Sequence, residues 1–228
     1  MWSEPDASRF AVRGPNYLVD KKKTPSKKAR FRLVGVDLFA FDNEKERYNL
    51  ANRPGSHVQT APGFTFIINM IIPSPNNLSM VLLFVFYFQP DSPTLLDENS
   101  PFSDLLADFL DGDDAFRNSR FKLIPTVVEG TFIVKQAVGS VPTLLGNKLS
   151  CPYHRGPNYF EVDIDISSNS VANTVVGMVK GVTKVLVVDL AFLLESQSEE
   201  ELPEAILGTV RLQNVSLDNP LRVPALQT

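Results

Sequence analysis

Three carboxylates at alternate positions are the strongest candidates for chemistry in this sequence. Glu161, Asp163 and Asp165 alternate with Val162 and Ile164, and this period of two predicts a strand with one apolar and one solvated face. Carboxylates that share a strand face stand ~7 Å apart, close enough to hold a cation or to form an acid/base pair. Like charges on a wet strand face are nevertheless common, and nothing nearby completes an EF-hand loop. We therefore expect a solvated face.

Cys151 and His154 suggest a nucleophilic pair, because they lie three residues apart. Catalytic pairs of this kind are usually distant in sequence and need a cleft. One cysteine and two histidines cannot supply the usual zinc ligand set without carboxylates. The sequence has no GxSxG, Walker or GxGxxG motif. We expect a protein that is not an enzyme and that uses neither a metal nor a cofactor.

The composition indicates one sizeable domain. A chain of 228 residues that is 43% apolar can bury a real core. The net charge of −4 is too mild to indicate nucleic-acid binding. A single cysteine fits a reducing compartment, and the sequence shows no apolar signal segment at its start. The expected location is the cytoplasm, with peripheral attachment to membranes.

The principal helix is predicted at about residues 170–182, between two strands. Its apolar stripe consists of Val171, Val175, Met178, Val179 and Val182. Gly177 and Gly181 leave one flank of this helix with almost no side chain. Another element is therefore expected to press close to the helix backbone there.

The rest of the pattern is mostly strands. Residues 64–72 and 80–88 predict an antiparallel hairpin across a turn at 73–77, and a shorter helix is expected at about 102–110. The other predicted strands are residues 31–41, 120–124, 130–139, 144–149, 185–194 and 205–214. The fold class is α+β, with a large, mostly antiparallel curved sheet or partial barrel. Residues 1–216 form a single domain, and 217–228 form an unstructured tail.

Three of the predicted strands, residues 64–72, 80–88 and 185–194, are apolar on both faces. If a curved sheet wraps the principal helix, part of this surface lines an apolar pocket. The leading hypothesis is a non-catalytic carrier or sensor at membranes that binds a lipid, sterol or isoprenoid. The predicted lining residues are Phe66, Ile68, Met70, Phe84, Phe86, Val175, Met178, Leu190 and Phe192. The pattern fits equally well a solid core in a module for protein–protein interaction or membrane docking.

A basic run near the start of the chain is the candidate for binding an anionic membrane surface. Its lysines are Lys21, Lys22, Lys23, Lys27 and Lys28. Each cation near an anionic surface contributes ~1 kcal/mol to attraction, although such runs are often only solvated loops. An acidic turn at residues 199–204 is a second candidate, either for a basic partner or for these lysines. The repeated sequence RGPNY, at 13–17 and 155–159, predicts two similar turns or a pair of arginines that clamp an anion.

Collinear motifs resemble a known family. They are FAVRGPNYLVDKKKTPS, FIINMIIPSP, FRNSRFKLIPTVVEGTFIVKQAVGSVPTLLGNKL, RGPNYFEVDIDISSNSVA, VVDLAFLLE and EEELPEAILGTVRL. From Trp2 to about Leu212 the chain resembles the C-terminal domain of the plant "enhanced disease resistance 2" proteins. In those proteins the domain follows a pleckstrin-homology domain and a START lipid-transfer domain, and the parent protein is tied to phosphoinositide binding and restraint of cell death. The resemblance transfers neither that phosphoinositide binding nor any catalytic residue, and we expect this chain to hold the C-terminal domain alone.

Overall fold

The computed structural model describes residues 1–72, 81–95 and 98–223. Within them it contains thirteen strands and five helices. The strands are β1 (Trp2–Ser3), β2 (Ala11–Arg13), β3 (Lys23–Pro25), β4 (Phe31–Phe41), β5 (Thr65–Ile72), β6 (Val81–Pro90), β7 (Phe121–Glu129), β8 (Thr143–Leu144), β9 (Tyr153–Arg155), β10 (Tyr159–Asp165), β11 (Val187–Leu194), β12 (Ile206–Gln213) and β13 (Leu221–Val223). The helices are α1 (Tyr17–Asp20), α2 (Pro101–Asp111), α3 (Asp114–Arg120), α4 (Phe132–Val138) and α5 (Ser170–Lys180). The predicted α+β class is confirmed.

The larger strands form two sheets instead of one curved sheet. One sheet has the order β1-β12-β11-β7-β8, and all of its pairs are antiparallel. The other has the order β13-β4-β6-β5-β10-β9, in which β4–β13 and β5–β10 are parallel. The predicted antiparallel hairpin of β5 and β6 is confirmed. A separate hairpin is formed by β2 and β3.

The main core lies between the two sheets and is rich in phenylalanine. Phe86 of β6 packs on Phe192 of β11 with ring centroids 6.0 Å apart. Phe66 of β5 lies 6.5 Å from Phe121 of β7, and Phe109 of α2 packs on both Phe66 and Phe121. Strands from both sheets and one face of α2 therefore fill a single interior.

Both sheets are also covered on their outer faces. On β5 and β6, Ile67 and Val85 point away from the main core and pack with Ala51 and Val58 of the segment that follows β4. On β11, Leu193 packs outside the other sheet with residues of the N-terminal segment 7–12. Strands with two apolar faces therefore pack on both of them: against the other sheet on the inside and against a chain segment on the outside. This arrangement explains the excess of apolar strand surface that the sequence shows.

Four local expectations were wrong. Residues 132–138 form α4, not a strand, because Thr131 caps the helix by accepting the Val134 N–H and Gly139 leaves it with a φ of 65°. Of the segment 144–149, only Leu144 belongs to a strand. The predicted tail contains β13, which pairs with β4. All seven residues of β10 are buried, so its carboxylate face is not solvated. The predicted turn at 73–77, the strand position 80 and the tail residues 224–228 lie outside the described residues.

The principal helix was predicted correctly, but its glycines do not have the expected role. Asn169 caps α5 by accepting the N–H groups of Val171 and Ala172. No heavy atom lies within 4 Å of a Cβ added at Gly177, so nothing presses on that flank. The close approach occurs instead at Gly208 of β12, where an added Cβ would stand 2.4 Å from the Phe88 ring of the facing sheet.

The two glycines are expected to respond oppositely to alanine. Gly177→Ala should raise the free energy of unfolding by about 0.5–1 kcal/mol, because alanine is the better helix former and the added methyl group meets nothing. Gly208→Ala should lower it by about 1–3 kcal/mol, because the Phe88 ring is fully buried and cannot move aside freely. Urea unfolding of both variants measures the difference. A stabilising Gly208→Ala would contradict the packing between the sheets.

Candidate functional site

Seven of the nine residues predicted to line a pocket lie together in the main core. They are Phe66, Ile68, Met70, Phe84, Phe86, Leu190 and Phe192. Their rings contact one another or other core rings: the centroids of Phe84 and Phe86 lie 6.3 Å apart, and those of Phe66 and Phe160 lie 5.5 Å apart. These are the contacts of closely packed side chains.

The other two predicted lining residues, Val175 and Met178, lie on α5. This helix contacts α4 and the turn at residues 166–168, and it has no fully buried residue. The Met178 side chain is 47% exposed, whereas Val175 is half-buried. The structure therefore does not bring these two residues together with the other seven.

The carboxylates of β10 hold the segment after β4 through its backbone. The two oxygens of Glu161 accept the N–H groups of Leu50 and Ala51, each at 2.8 Å. Asp163 accepts the N–H of Asn49 at 3.0 Å. Three consecutive backbone donors thus bind two buried carboxylates, and the segment lies flat on the outer face of the sheet.

Side chains complete this network. The Asp163 carboxylate accepts a hydrogen bond from Asn69 Nδ2 at 2.7 Å, and its Oδ2 lies 2.7 Å from His154 Nε2. Asp165 accepts a hydrogen bond from the Tyr48 hydroxyl at 2.9 Å. Burial, together with the neighbouring Asp163 carboxylate, raises the pKa of Glu161 well above its usual value. Among the described residues, no three His, Cys, Asp or Glu side chains are arranged to hold a metal ion.

Replacing Glu161 by glutamine is expected to change how stability depends on pH. Glu161 keeps its proton to a higher pH in the folded state than in the unfolded chain, where the pKa of a glutamate is near 4.5. The resulting stabilisation is complete below pH 4.5 and is lost as the pH rises through the folded pKa. Urea unfolding at a series of pH values should therefore show the wild type losing stability relative to Glu161→Gln as the pH rises. Parallel pH profiles for the two proteins would contradict this.

The surroundings of Cys151, which is buried in the main core, disfavour a nucleophilic pair with His154. Burial raises the pKa of the Cys151 thiol to about 12, so the thiolate needed for attack is scarce at neutral pH. The Nε2 atom of His154 contacts Asp163. Both residues belong to the packing of β10 and its neighbours.

The two RGPNY turns lie in separate places, and each arginine has its own partners. Arg155 contacts the Asp111 carboxylate and donates to the Leu110 carbonyl at 2.9 Å, at the end of α2. Arg13 contacts Glu195 at 3.1 Å and Glu204 at 3.5 Å. The two side chains do not clamp a common anion.

Beside the second turn is an open, polar groove of about 860 Å³, lined by residues 153–159 together with Asn49, Asn52 and Gln59.

The predicted basic run forms an exposed hairpin, which we call the basic hairpin: β2, β3, their connection 14–22 and the following residues 26–28. All five lysines are exposed. Lys21 donates to the Leu18 carbonyl at 2.8 Å, and Lys28 pairs with Asp91 at 2.7 Å. Within the described part of the chain, the ammonium groups of Lys22, Lys23 and Lys27 have no ion-pair partner. The Val19 side chain at the hairpin tip is 79% exposed.

The acidic turn does not neutralise these lysines. Glu201 pairs with Arg120 at 2.8 Å, and Glu204 contacts Lys122 and Arg13. These carboxylates are therefore used inside the fold. The turn leaves Glu199 and Glu200 at the surface.

The sequence patterns missed an exposed apolar surface, which we call the α4–α5 surface. Phe132 and Ile133 of α4 are 78% and 68% exposed, and Val171 and Met178 of the adjoining α5 are 71% and 47% exposed. Lys135 and Lys180 lie on the same two helices. The surface lies at the end of the sandwich where β7 ends and β11 begins. Other exposed apolar side chains at this end are Trp2, Val185 and Leu221.

A signal for this surface was present in the sequence. Neither the segment 130–160 nor the segment 166–188 contains a single Asp or Glu, although the whole chain is net negative. Lysine is the charged residue of α4, of α5 and of the turn at residues 183–185. Monomeric surfaces rarely group large apolar side chains in this way.

The fold and these surfaces define an α+β sandwich domain with a packed core, one apolar end and one basic hairpin. In the described residues, no helix has the length and hydropathy needed to cross a bilayer. The family model "Protein ENHANCED DISEASE RESISTANCE 2, C-terminal" matches residues 2–216, and the chain belongs to this family. An Arabidopsis thaliana relative, "Protein ENHANCED DISEASE RESISTANCE 2-like", is 42% identical over 230 aligned positions. The alignment covers the whole chain but only 30% of that relative.

Proposed function

We propose that the protein is a non-catalytic module that docks on anionic membrane surfaces through the α4–α5 surface. The observation that carries this proposal is the grouping of Phe132, Ile133, Val171 and Met178, all exposed, on two adjoining helices. Full removal of one such side chain from water contributes ~1.5–3 kcal/mol. Several partly inserted side chains on one face therefore supply enough energy for reversible binding.

The charges at this surface favour an anionic bilayer as the partner. Lys135 and Lys180 lie on the same two helices as the apolar side chains, and Lys184 follows α5, where it pairs with Asp218. With no carboxylate in the α4 or α5 segments, the helices attract anionic head groups while the apolar side chains enter the interface. Trp2, 42% exposed at the same end, is of a residue type enriched at membrane interfaces.

Vesicle sedimentation tests this function. The wild-type protein should sediment with vesicles that contain phosphatidylserine and less with vesicles of phosphatidylcholine alone. Added salt should weaken the binding without abolishing it, because salt screens the lysines but not the apolar contacts. A protein that stays in the supernatant with both vesicle types would overturn the proposal and would favour the module for protein–protein interaction.

The carrier hypothesis stays a prediction. Packing between the rings of Phe66, Phe84, Phe86 and Phe192 and their neighbours supports a filled core instead. Mass spectrometry of gently purified protein tests the point: a stoichiometric co-purified lipid would favour a carrier, and its absence would favour the docking module.

A further inference from the structure

The basic hairpin and the α4–α5 surface lie at opposite ends of the sandwich. The α4 helix follows the last residue of β7, and α5 leads into β11 at Val187. At the other end of β11, Glu195 and Glu204 contact Arg13, the last residue of β2 in the hairpin. Eight residues of β11 separate these positions, which corresponds to about 25 Å at ~3.3 Å per residue.

This separation places the hairpin beyond the reach of a bilayer that receives the α4–α5 surface end-on. It also exceeds the screening distance of about 8 Å at physiological salt, so the two surfaces attract anions independently. The hairpin presents exposed ammonium groups, three of which have no ion-pair partner in the described part of the chain. Such an array fits a field of anionic head groups rather than a single anion.

We propose that the basic hairpin is a second membrane-binding surface and that the domain bridges two anionic bilayers. This inference rests on the proposed function, since the α4–α5 surface must hold the first bilayer. Lys22, Lys23 and Lys27 are the residues that attract the second bilayer, because they have no ion-pair partner in the described part of the chain. Val19 at the hairpin tip adds an apolar contact.

The ability of the protein to bridge two bilayers is measured by the clustering of vesicles. Two populations of phosphatidylserine-containing vesicles, each with one dye of an energy-transfer pair, are mixed with the wild-type protein. Energy transfer between the populations should rise with protein concentration. The triple variant Lys22→Gln, Lys23→Gln, Lys27→Gln should still sediment with vesicles but should cluster them at least tenfold less, because three cations that each contribute ~1 kcal/mol are lost. A matched triple variant with arginine at the same positions should cluster vesicles as the wild type does.

The outcomes separate this inference from the proposed function. Wild-type protein that sediments with vesicles without clustering them would overturn the bridge and leave the docking function standing. Clustering that persists in the glutamine variant would overturn it as well, because bound copies would then be associating with each other. Failure to sediment at all would overturn both.

Discussion

Replacing Phe132 and Ile133 together by serine is expected to lower the affinity for phosphatidylserine-containing vesicles by about tenfold or more. The two side chains are the most exposed apolar groups of α4, and partial insertion of both contributes at least the ~1.4 kcal/mol that corresponds to a tenfold change. Their exposure also means that the fold does not depend on them. Sedimentation with vesicles over a range of lipid concentrations measures the effect.

Val34→Ser provides the matched control, since Val34 is another exposed apolar residue and lies on β4, away from the α4–α5 surface. This variant should bind vesicles as the wild type does. The circular dichroism spectrum and the urea midpoint of both variants should match those of the wild type. Equal affinity for the double serine variant and Val34→Ser would show that α4 does not enter the membrane.

Asp163→Ala is expected to lower the free energy of unfolding by about 3 kcal/mol. The carboxylate is fully buried, and its removal leaves the Asn49 N–H and one of the two Asn69 Nδ2 hydrogens without an acceptor, while the other keeps the Arg47 carbonyl. Each unpaired buried polar group costs about 1–3 kcal/mol. Relief of the repulsion between Asp163 and Glu161 offsets part of this cost. Urea unfolding monitored by fluorescence measures the change.

Asp111→Ala is the appropriate comparison, because it also removes an aspartate that pairs with a cation. The Asp111 side chain is 70% exposed in its pair with Arg155, and exposed pairs contribute only ~0–1 kcal/mol. The difference between the two variants isolates the effect of burial. If Asp163→Ala were no less stable than Asp111→Ala, the network over β10 would be dispensable.

The local patterns of the sequence predicted most of the elements. Two apolar runs joined by a turn predicted the hairpin of β5 and β6, and an apolar stripe with helical spacing predicted α5. Such signals lie within one segment, where backbone geometry repeats with a fixed period. Residues 132–138 were misread because β-branched and aromatic side chains favour strands, whereas capping by Thr131 starts a helix.

The surroundings of each element could not be predicted in the same way. Alternation along β10 correctly separated its polar face from its apolar face, but it could not reveal what covers the polar face. The covering groups are backbone N–H donors more than 100 positions away, and backbone donors leave no trace in side-chain patterns. Likewise, two apolar faces on β11 do not distinguish a cavity from a second packed layer.

The segment after β4 is held on β10 by its backbone N–H groups, so different substitutions in it should have very different effects. At positions 49, 50 and 51 the acceptors of β10 need only an amide hydrogen, although the φ of 54° at Asn49 disfavours β-branched residues and the buried Ala51 requires a small side chain. Proline alone lacks that hydrogen. A substitution that keeps the backbone conformation leaves these hydrogen bonds in place, whereas proline at any of the three positions removes one.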